Sequence, residues 1–431
     1  MSAFVIFAIL FALLFTGMPI SIALGLTVLA FLALVSSLSL ETIAIVSQKL
    51  FTGLDNFVIM AIPFFVLSGA LLSAGGAARR IIRFATALVG WMPGGLAMAA
   101  VLSCAFFAAI SGSSPATVVA IGSIMLPAMV EQGYSKRFAV GVLATSGGLG
   151  ILIPPSIVLV IYGMSTSESI GKLFIAGIVP GLVMALALLA VTYGVARWHR
   201  FPTLPRASLR EIGQAFREAG WGLGLAVVVI GGIYGGFFTP TEAAAVSAVY
   251  AFFVAVFVYR ELPLAKVPRV LLEAANMSAM LLYIITNAIL FSFLLTTENI
   301  PQQLAQWIID QGLTPWMFLL FVNVLLFFAG DFMEPSSILL ILAPLFLPVA
   351  MKLGIDPIHL GIIMTINMEL GMITPPVGLN LYVASGLAKM GLTEVTKAAA
   401  PWILVVTAVL LLVTYVPEIS LWLPHLLYGR R

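Results

Sequence analysis

Gly371-Met372-Ile373-Thr374-Pro375-Pro376-Val377-Gly378-Leu379-Asn380 breaks an apolar run with adjacent prolines, and Gly150-Ile151-Leu152-Ile153-Pro154-Pro155-Ser156 does the same earlier in the chain. Proline lacks an N–H and its ring clashes with the preceding turn, so two in a row should interrupt a helix. The two stretches are in register: Gly150 and Gly371, Pro154 and Pro375, and Pro155 and Pro376 are each 221 positions apart. The same offset of 221 separates Pro19 from Pro240, Pro127 from Pro348 and Gly133 from Gly354. Four coincident proline pairs in one ungapped frame, among 24 prolines in 431 residues, point to a duplicated unit. Transporter folds are commonly built from two such units, with the ligand site at the helix breaks where they meet.

Composition sets the solvent. With 62% hydrophobic and 9% charged residues and a mean hydropathy of +1.16, the chain cannot be a water-soluble globule, which carries about 25% charged residues. It reads as an all-α polytopic membrane protein, its apolar runs each close to the roughly 20 residues that span a bilayer. Ten spans are expected, near residues 4–16, 19–36, 56–74, 138–164, 173–197, 222–237, 240–259, 272–295, 358–388 and 398–416, plus two hairpin-like pairs of shorter segments. Met1 to Val35 lacks the features of a secretory signal and reads as two spans turning at Gly17-Met18-Pro19. The single Cys104 excludes an intrachain disulfide, and His199, His359 and His425 lack metal-ligand spacing. Neither thiol nor transition-metal chemistry is expected, nor a nucleic-acid partner.

Basic residues cluster at Arg79, Arg80 and Arg83, at Lys136 and Arg137, from Arg197 to Arg217, and at Arg260, Lys266 and Arg269. The positive-inside rule assigns these to cytoplasmic loops. The N-terminus then lies outside, and five crossings per half invert the second copy, giving two inverted-topology repeats at 1–210 and 222–431. Lys49, Lys172, Lys352 and Arg430-Arg431 fall on the outer side. The charged, amphipathic segment Ser208 to Gly220 is expected as a linker helix along the cytoplasmic face. The polar stretch holding Gln302, Gln303 and Gln306 is expected as an interfacial arm on the opposite face.

Two segments turn around inside apolar sequence. Leu96 to Ile110 meets Ser111-Gly112-Ser113-Ser114-Pro115-Ala116-Thr117 before resuming at Val118, and Met317 to Ala329 meets Gly330-Asp331-Phe332-Met333-Glu334-Pro335-Ser336-Ser337 before resuming at Ile338. Both read as re-entrant hairpins, with tips at 111–117 and 330–337, each followed by a broken helix at 138–164 or 358–388. Irregular backbone at membrane depth requires protein or a water-filled cavity to satisfy it.

Proline also favours the first helical position after a capping residue, a pattern that Ser114-Pro115, Thr374-Pro375 and, with a carboxylate, Glu334-Pro335 fit. Four half-helices should start near mid-membrane. Their N-termini suit an anion, and the preceding C-terminal ends offer carbonyls to a small cation. No Lys or Arg occurs in residues 101–130, 138–171, 320–351 or 358–388, so helix dipoles, amides, hydroxyls and co-bound cations would have to hold an anion. Asp331 and Glu334 are functional candidates as intramembrane carboxylates, the alternative being hydration near an interface. Glu369, one turn before the second break, is read as holding a hairpin tip rather than a ligand. Glu242 in Thr239-Pro240-Thr241-Glu242 is read as a capping-box residue, and Asp55-Asn56 precedes a span in the same way.

These motifs, the Gly147-Gly148-Leu149-Gly150 to Ser156 stretch and the Thr239-Pro240-Thr241-Glu242 turn together resemble the large membrane subunit of tripartite ATP-independent periplasmic (TRAP) transporters, members of the ion transporter superfamily, over essentially the whole chain. The resemblance implies a permease of the bacterial inner membrane, not an enzyme, that imports an organic acid, with C4-dicarboxylates the expected class, on a sodium gradient. It implies a small four-span membrane subunit and a periplasmic binding protein as partners, with Na+ as coupling ion, no organic cofactor, and an elevator motion of hairpins and broken helices. By motif it implies one sodium site at Ser111, Ser113, Ser114 and Gly148, and a second at Gly330, Asp331, Met333, Gly371 and Thr374. Substrate would lie against Ser114, Thr117, Pro155, Ser156, Pro376 and Asn380. The rival reading is a stand-alone sodium-coupled dicarboxylate or citrate carrier of the same superfamily.

Overall fold

The computed structural model describes residues 2–36, 40–331 and 333–429, and among these the chain is helical with no strand. Phe332, at the second tip, and the Arg430-Arg431 pair lie outside the described residues. α1 (Ser2–Phe15) and α2 (Ile20–Phe31) are separated by the expected turn, with Gly17 at φ +81°. After α3 (Leu40–Leu54), the Asn56 side chain accepts from the Val58 N–H at 2.9 Å and caps a 3-10 turn that runs into α4 (Ala61–Ala74). Then come α5 (Ala77–Val89), α6 (Gly95–Ser111), α7 (Ser114–Glu131), α8 (Lys136–Ser146), the single turn α9 (Leu149–Leu152), α10 (Ile157–Thr166) and α11 (Ile170–Trp198).

The C-terminal half holds α12 (Leu209–Tyr234), α13 (Pro240–Phe253), α14 (Val267–Thr297), α15 (Ile300–Asp310), α16 (Pro315–Gly330), α17 (Pro335–Lys352), α18 (Pro357–Met372), α19 (Leu379–Ala388), α20 (Leu392–Tyr415) and α21 (Glu418–Tyr428). Among the described residues, eight helices are long and apolar enough to cross a bilayer, or nine if the pair α8–α9 and α10, bent by 41°, counts as one span. The chain is a multi-pass membrane protein. Those eight include the hairpin arms α7 and α17, whereas α1 and α2 are shorter apolar helices, so length alone does not reproduce the ten expected spans.

Helix boundaries follow the sequence offset. α7 begins at 114 and ends at 131, α17 begins at 335 and ends at 352, and α8 and α18 begin at 136 and 357, each a difference of 221. Packing crosses between the halves: α2 lies on α14 and α4 on α13, while α7 lies on α19 and α10 on α17.

Two expectations need correction. The segment Ser208 to Gly220 is not a separate linker helix but the first half of α12, which runs unbroken to Tyr234. No proline interrupts it, and Ser208 and Glu211 close a capping box at its start. Nor are Arg79, Arg80 and Arg83 in a loop. They ride on amphipathic α5, where Arg79 pairs with Glu261, Arg80 reaches Glu261 at 2.6 Å and lies 3.9 Å over the Tyr259 ring, and Arg83 pairs with Glu218 at 2.6 Å. The Tyr259 hydroxyl donates to the Glu218 carbonyl at 2.9 Å and accepts from the Gly222 N–H at 2.9 Å, clamping α5 between α12 and the turn after α13. Gln302, Gln303 and Gln306 do form a short helix, α15, packed on α17. Glu242 is the capping-box residue it was read to be, at the start of α13.

Candidate functional site

The first tip is a two-residue reversal. α6 ends at Ser111, Gly112 turns the chain at φ +60°, and extended Ser113 leads into α7. Ser114 does not cap α7 as expected, because the helix already includes it and Pro115 follows inside the first turn. The tip is instead tied by its own hydroxyls. Thr117 Oγ1 donates to the Ser113 carbonyl at 2.8 Å and lies 2.8 Å from Ser111 Oγ, while the Ile157 N–H at the start of α10 donates to the Gly112 carbonyl at 3.3 Å.

Ser114 is committed to the second broken helix. Its hydroxyl donates to Glu369 Oε2 at 3.1 Å and accepts from Asn380 Nδ2 at 2.6 Å. Asn380 Nδ2 also reaches Glu369 Oε1 at 3.2 Å and the Ala144 carbonyl at 3.4 Å. Gly148 lies directly on this carboxylate, so that a Cβ there would overlap it. The expected group of Ser111, Ser113, Ser114 and Gly148 is therefore assembled, with Glu369 in the tip-holding role. A void of about 10 Å³ beside Glu369, lined by Thr145, Gly148, Leu149, Leu152, Met184, Ile366 and Val406, has room for about one water.

At the first break Ser156, fully buried, caps α10. Its oxygen accepts from the Leu159 N–H at 3.3 Å and its hydroxyl donates to the Ile151 carbonyl at 2.5 Å. The Pro154-Pro155 and Pro375-Pro376 bonds are both cis. Gly150 faces the tip, since a Cβ there would lie 2.6 Å from the Ser113 carbonyl oxygen and 2.7 Å from Thr117 Oγ1.

The second tip repeats the plan with different chemistry. Glu334 caps α17 as expected, accepting from the Ser337 N–H at 3.0 Å and the Ser337 hydroxyl at 3.2 Å, with Pro335 next. The Asp331 carbonyl accepts from the Val377 N–H at 3.1 Å, whereas its buried Oδ1 has no partner among the described residues. Gly330 and Gly371 meet backbone to backbone. Thr374 does not cap a helix: its hydroxyl donates back to the Leu370 carbonyl at 2.7 Å, and α19 starts only after Gly378, which at φ +52° takes the left-handed turn. The expected substrate residues thus differ in setting. Ser114, Thr117, Pro155, Ser156 and Asn380 are buried, and Pro376 is exposed beside Pro375 and Val377.

Sequence reading missed a second polar joint. Asn367 Nδ2 donates to both the carbonyl and the side-chain oxygen of Asn323 at 3.0 Å, and Asn323 Nδ2 donates to Thr414 Oγ1 at 3.0 Å, linking α18, α16 and α20. Polar side chains inside apolar helices were the available signal. An open groove of about 740 Å³ lies away from the tips, between Leu50–Asp55 and the Tyr283–Asn287 turn of α14.

Residues 7–419 match the family described as "Tripartite ATP-independent periplasmic transporter, DctM component". The chain belongs to the DctM family. The C4-dicarboxylate TRAP transporter large permease protein DctM of Rhodobacter capsulatus is 61% identical over 441 residues, covering 99% of this chain and 100% of that one. The protein of the same description from Pseudomonas aeruginosa is 56% identical over 403 residues, covering 94% of each. The YdaH transporter of Alcanivorax borkumensis shares the fold, with a TM-score of 0.63 at 16% identity and 90% of both chains covered. As a DctM component, the protein is a transporter subunit rather than an enzyme.

Proposed function

We propose that this DctM component is the large permease subunit of a tripartite transporter that imports a C4-dicarboxylate across the bacterial inner membrane with sodium. The observation that carries the substrate class is full-length similarity, at 61% and 56% identity, to permeases named for C4-dicarboxylates. The proposal includes a small four-span subunit packed against this chain and a periplasmic binding protein that delivers the substrate.

The ionic logic of the site supports sodium. Four helices, α7, α10, α17 and α19, begin at the tips and breaks, and although Ser156 and Glu334 each cap one N–H of α10 and α17, the positive dipole ends and the remaining N–H groups favour an anion. No Lys or Arg lies in residues 101–130, 138–171, 320–351 or 358–388 to neutralise a dicarboxylate. Co-bound cations would supply the missing charge. Asp331 Oδ1, without a partner among the described residues and next to Gly330, and the hydroxyls and carbonyls of Ser111 to Ser114 are hard oxygen donors that fit a small hard cation. In this reading the second site uses Gly330, Asp331, Met333, Gly371 and Thr374. The substrate lies between the tips, Pro376 and Asn380 marking its edge. The helix boundaries repeated at an offset of 221 support two inverted repeats. The hairpins and broken helices, joined across the halves by Ser114, Glu369 and Asn380, would then slide together as an elevator.

Succinate uptake into proteoliposomes holding this chain and its small subunit tests the proposal. Uptake should require both an inward sodium gradient and the cognate binding protein. Sodium-driven uptake without the binding protein would return the chain to the stand-alone carrier reading, and sodium-independent uptake would remove the symport.

A further inference from the structure

The arginines of α5 and those that follow α11 have opposite fates. On α5 all three are paired, Arg79 and Arg80 with Glu261 and Arg83 with Glu218. Residues 197–217 hold five arginines, Arg197, Arg200, Arg206, Arg210 and Arg217, and one acid, Glu211. The Glu211 carboxylate is occupied by Ser208, accepting from its N–H at 2.6 Å and from its hydroxyl at 2.9 Å. All five arginines are exposed, and none forms an ion pair among the described residues. Arg197 makes only a long contact, 3.4 Å, with the Tyr193 hydroxyl of its own helix.

The segment that presents them is held in place. Between α11 and α12 the Phe201 ring stacks on Tyr134 at 4.7 Å and lies 4.7 Å from the Phe138 ring. The Tyr134 hydroxyl donates to the Pro202 carbonyl at 3.0 Å, and the Leu204 N–H donates to the Gly90 carbonyl at 3.0 Å. Arg206 lies 5.2 Å over the Trp91 ring. The strap of residues 199–208 is thereby fastened to both roots of the first hairpin, before α6 and after α7. On α12, Arg210, Gly213, Gln214 and Arg217 form one exposed stripe at helical spacing. Leu209 and Phe216 border the stripe at 88% and 56% exposed, and Trp198 at the end of α11 is 87% exposed.

Large apolar side chains exposed among unpaired cations suit neither bulk water nor hydrocarbon, but they suit the boundary between the two. Basic residues clustered just beyond a spanning helix and on an amphipathic helix attract anionic headgroups, each contributing about fivefold in binding. We propose that the strap and the start of α12 form a binding site for anionic phospholipid, with the arginines on the phosphates and Trp198, Leu209 and Phe216 among the acyl chains. A free phosphate would engage the arginines and leave those three side chains in water. The bound lipid holds the strap, and through it the roots of the first hairpin, at the membrane surface. The site is separate from the tips and breaks, and it rests on the cytoplasmic placement that the charge pattern gives these residues.

The test uses the complex of this chain with its small subunit, purified in detergent and titrated with phosphatidylglycerol, phosphatidylcholine or glycerol phosphate. Apparent Tm is the global readout and amide exchange at Leu204 the local one. Phosphatidylglycerol should raise the Tm and slow exchange at Leu204, less so at high salt, whereas phosphatidylcholine and glycerol phosphate should do neither. Arg200→Gln, Arg210→Gln and Arg217→Gln combined should raise the phosphatidylglycerol concentration for half-maximal stabilisation by about a hundredfold, three factors of about five. Arg200→Lys, Arg210→Lys and Arg217→Lys combined should keep most of the response. Lys266→Gln, Lys389→Gln and Lys397→Gln remove the same charge from exposed positions elsewhere and should leave the response little changed.

Equal stabilisation by phosphatidylcholine would overturn the inference and reduce the arginines to a signal for membrane orientation. Equal stabilisation by glycerol phosphate, which carries the charge without the chains, would overturn the lipid assignment. A rise in Tm with no change at Leu204, or an arginine-to-glutamine triple that responds like the lysine-to-glutamine triple, would place the lipid elsewhere and overturn the site.

Discussion

Replacing Gly371 by alanine sets two effects of known size against each other. Gly371 occupies the last turn of α18, where helix propensity favours alanine by up to about 1 kcal/mol. The added Cβ, however, would lie 2.6 Å from Gly330 Cα, 2.7 Å from its carbonyl carbon and 2.8 Å from its oxygen, whereas ordinary contact begins near 3.4 Å. The tip backbone would have to retreat by about 0.8 Å, and no flexible side chain is available to absorb the movement. Overpacking of this kind costs about 1–3 kcal/mol, so the net expectation is a loss of about 1–2 kcal/mol. In a chain this long that corresponds to a fall of roughly 1–4 °C in apparent Tm, read by thermal unfolding of the purified complex. Uptake should suffer more than stability, because the displaced residue sits at the tip. Gly330→Ala, whose Cβ would meet Gly371 Cα at 3.1 Å, should be milder, and Gly386→Ala, with nothing within 4 Å, should be neutral or stabilising. A Gly371→Ala protein as stable as Gly386→Ala would refute the reasoning, because propensity alone would then account for the outcome.

Three further perturbations probe other joints. Glu334→Ala removes the cap of α17 and should lower stability by about 1 kcal/mol, with loss of amide protection at Ser337 as the local signature; intact protection there would contradict the capping role. Ser156→Ala should destabilise through the lost α10 cap, by about 1 kcal/mol, while leaving the KM for succinate unchanged; a raised KM at full stability would instead make Ser156 a substrate contact. Arg80→Lys cannot reproduce the contacts to Glu261 and the Gly76 carbonyl together with the stacking on Tyr259, and should behave like Arg80→Ala in thermal melts rather than like the wild type.

The parts of this fold legible in sequence are those set by local backbone chemistry. Proline pairs, tip glycines and the Thr239-Glu242 box located the breaks, the reversals and the start of α13, because each acts within one turn of its own position. Where two local devices competed, sequence reading chose wrongly. Thr374-Pro375 has the form of a helix start, but Gly378 begins α19 and Thr374 bonds backward. Ser114 has the form of a cap, but its hydroxyl is claimed by Glu369, 255 positions away, and no local pattern encodes that distance. Amphipathic α5 differs in the same way. The arginines of α5 suggested a solvated loop because their partners, Glu218 and Glu261, lie far along the chain.

The crossed packing of α2 on α14 and α4 on α13 has a consequence for how the protein is made. α4 is finished at Ala74, yet its partner α13 begins at Pro240. At about 5–20 residues per second, roughly ten to thirty seconds of synthesis separate the two. Throughout that interval the faces of α2 and α4 meant for the second half must be sheltered by lipid or by the insertion machinery. A nascent chain arrested in α12 would still lack α13 and α14, the helices against which α4 and α2 close, so lipid or the insertion machinery must hold those faces until the second half arrives.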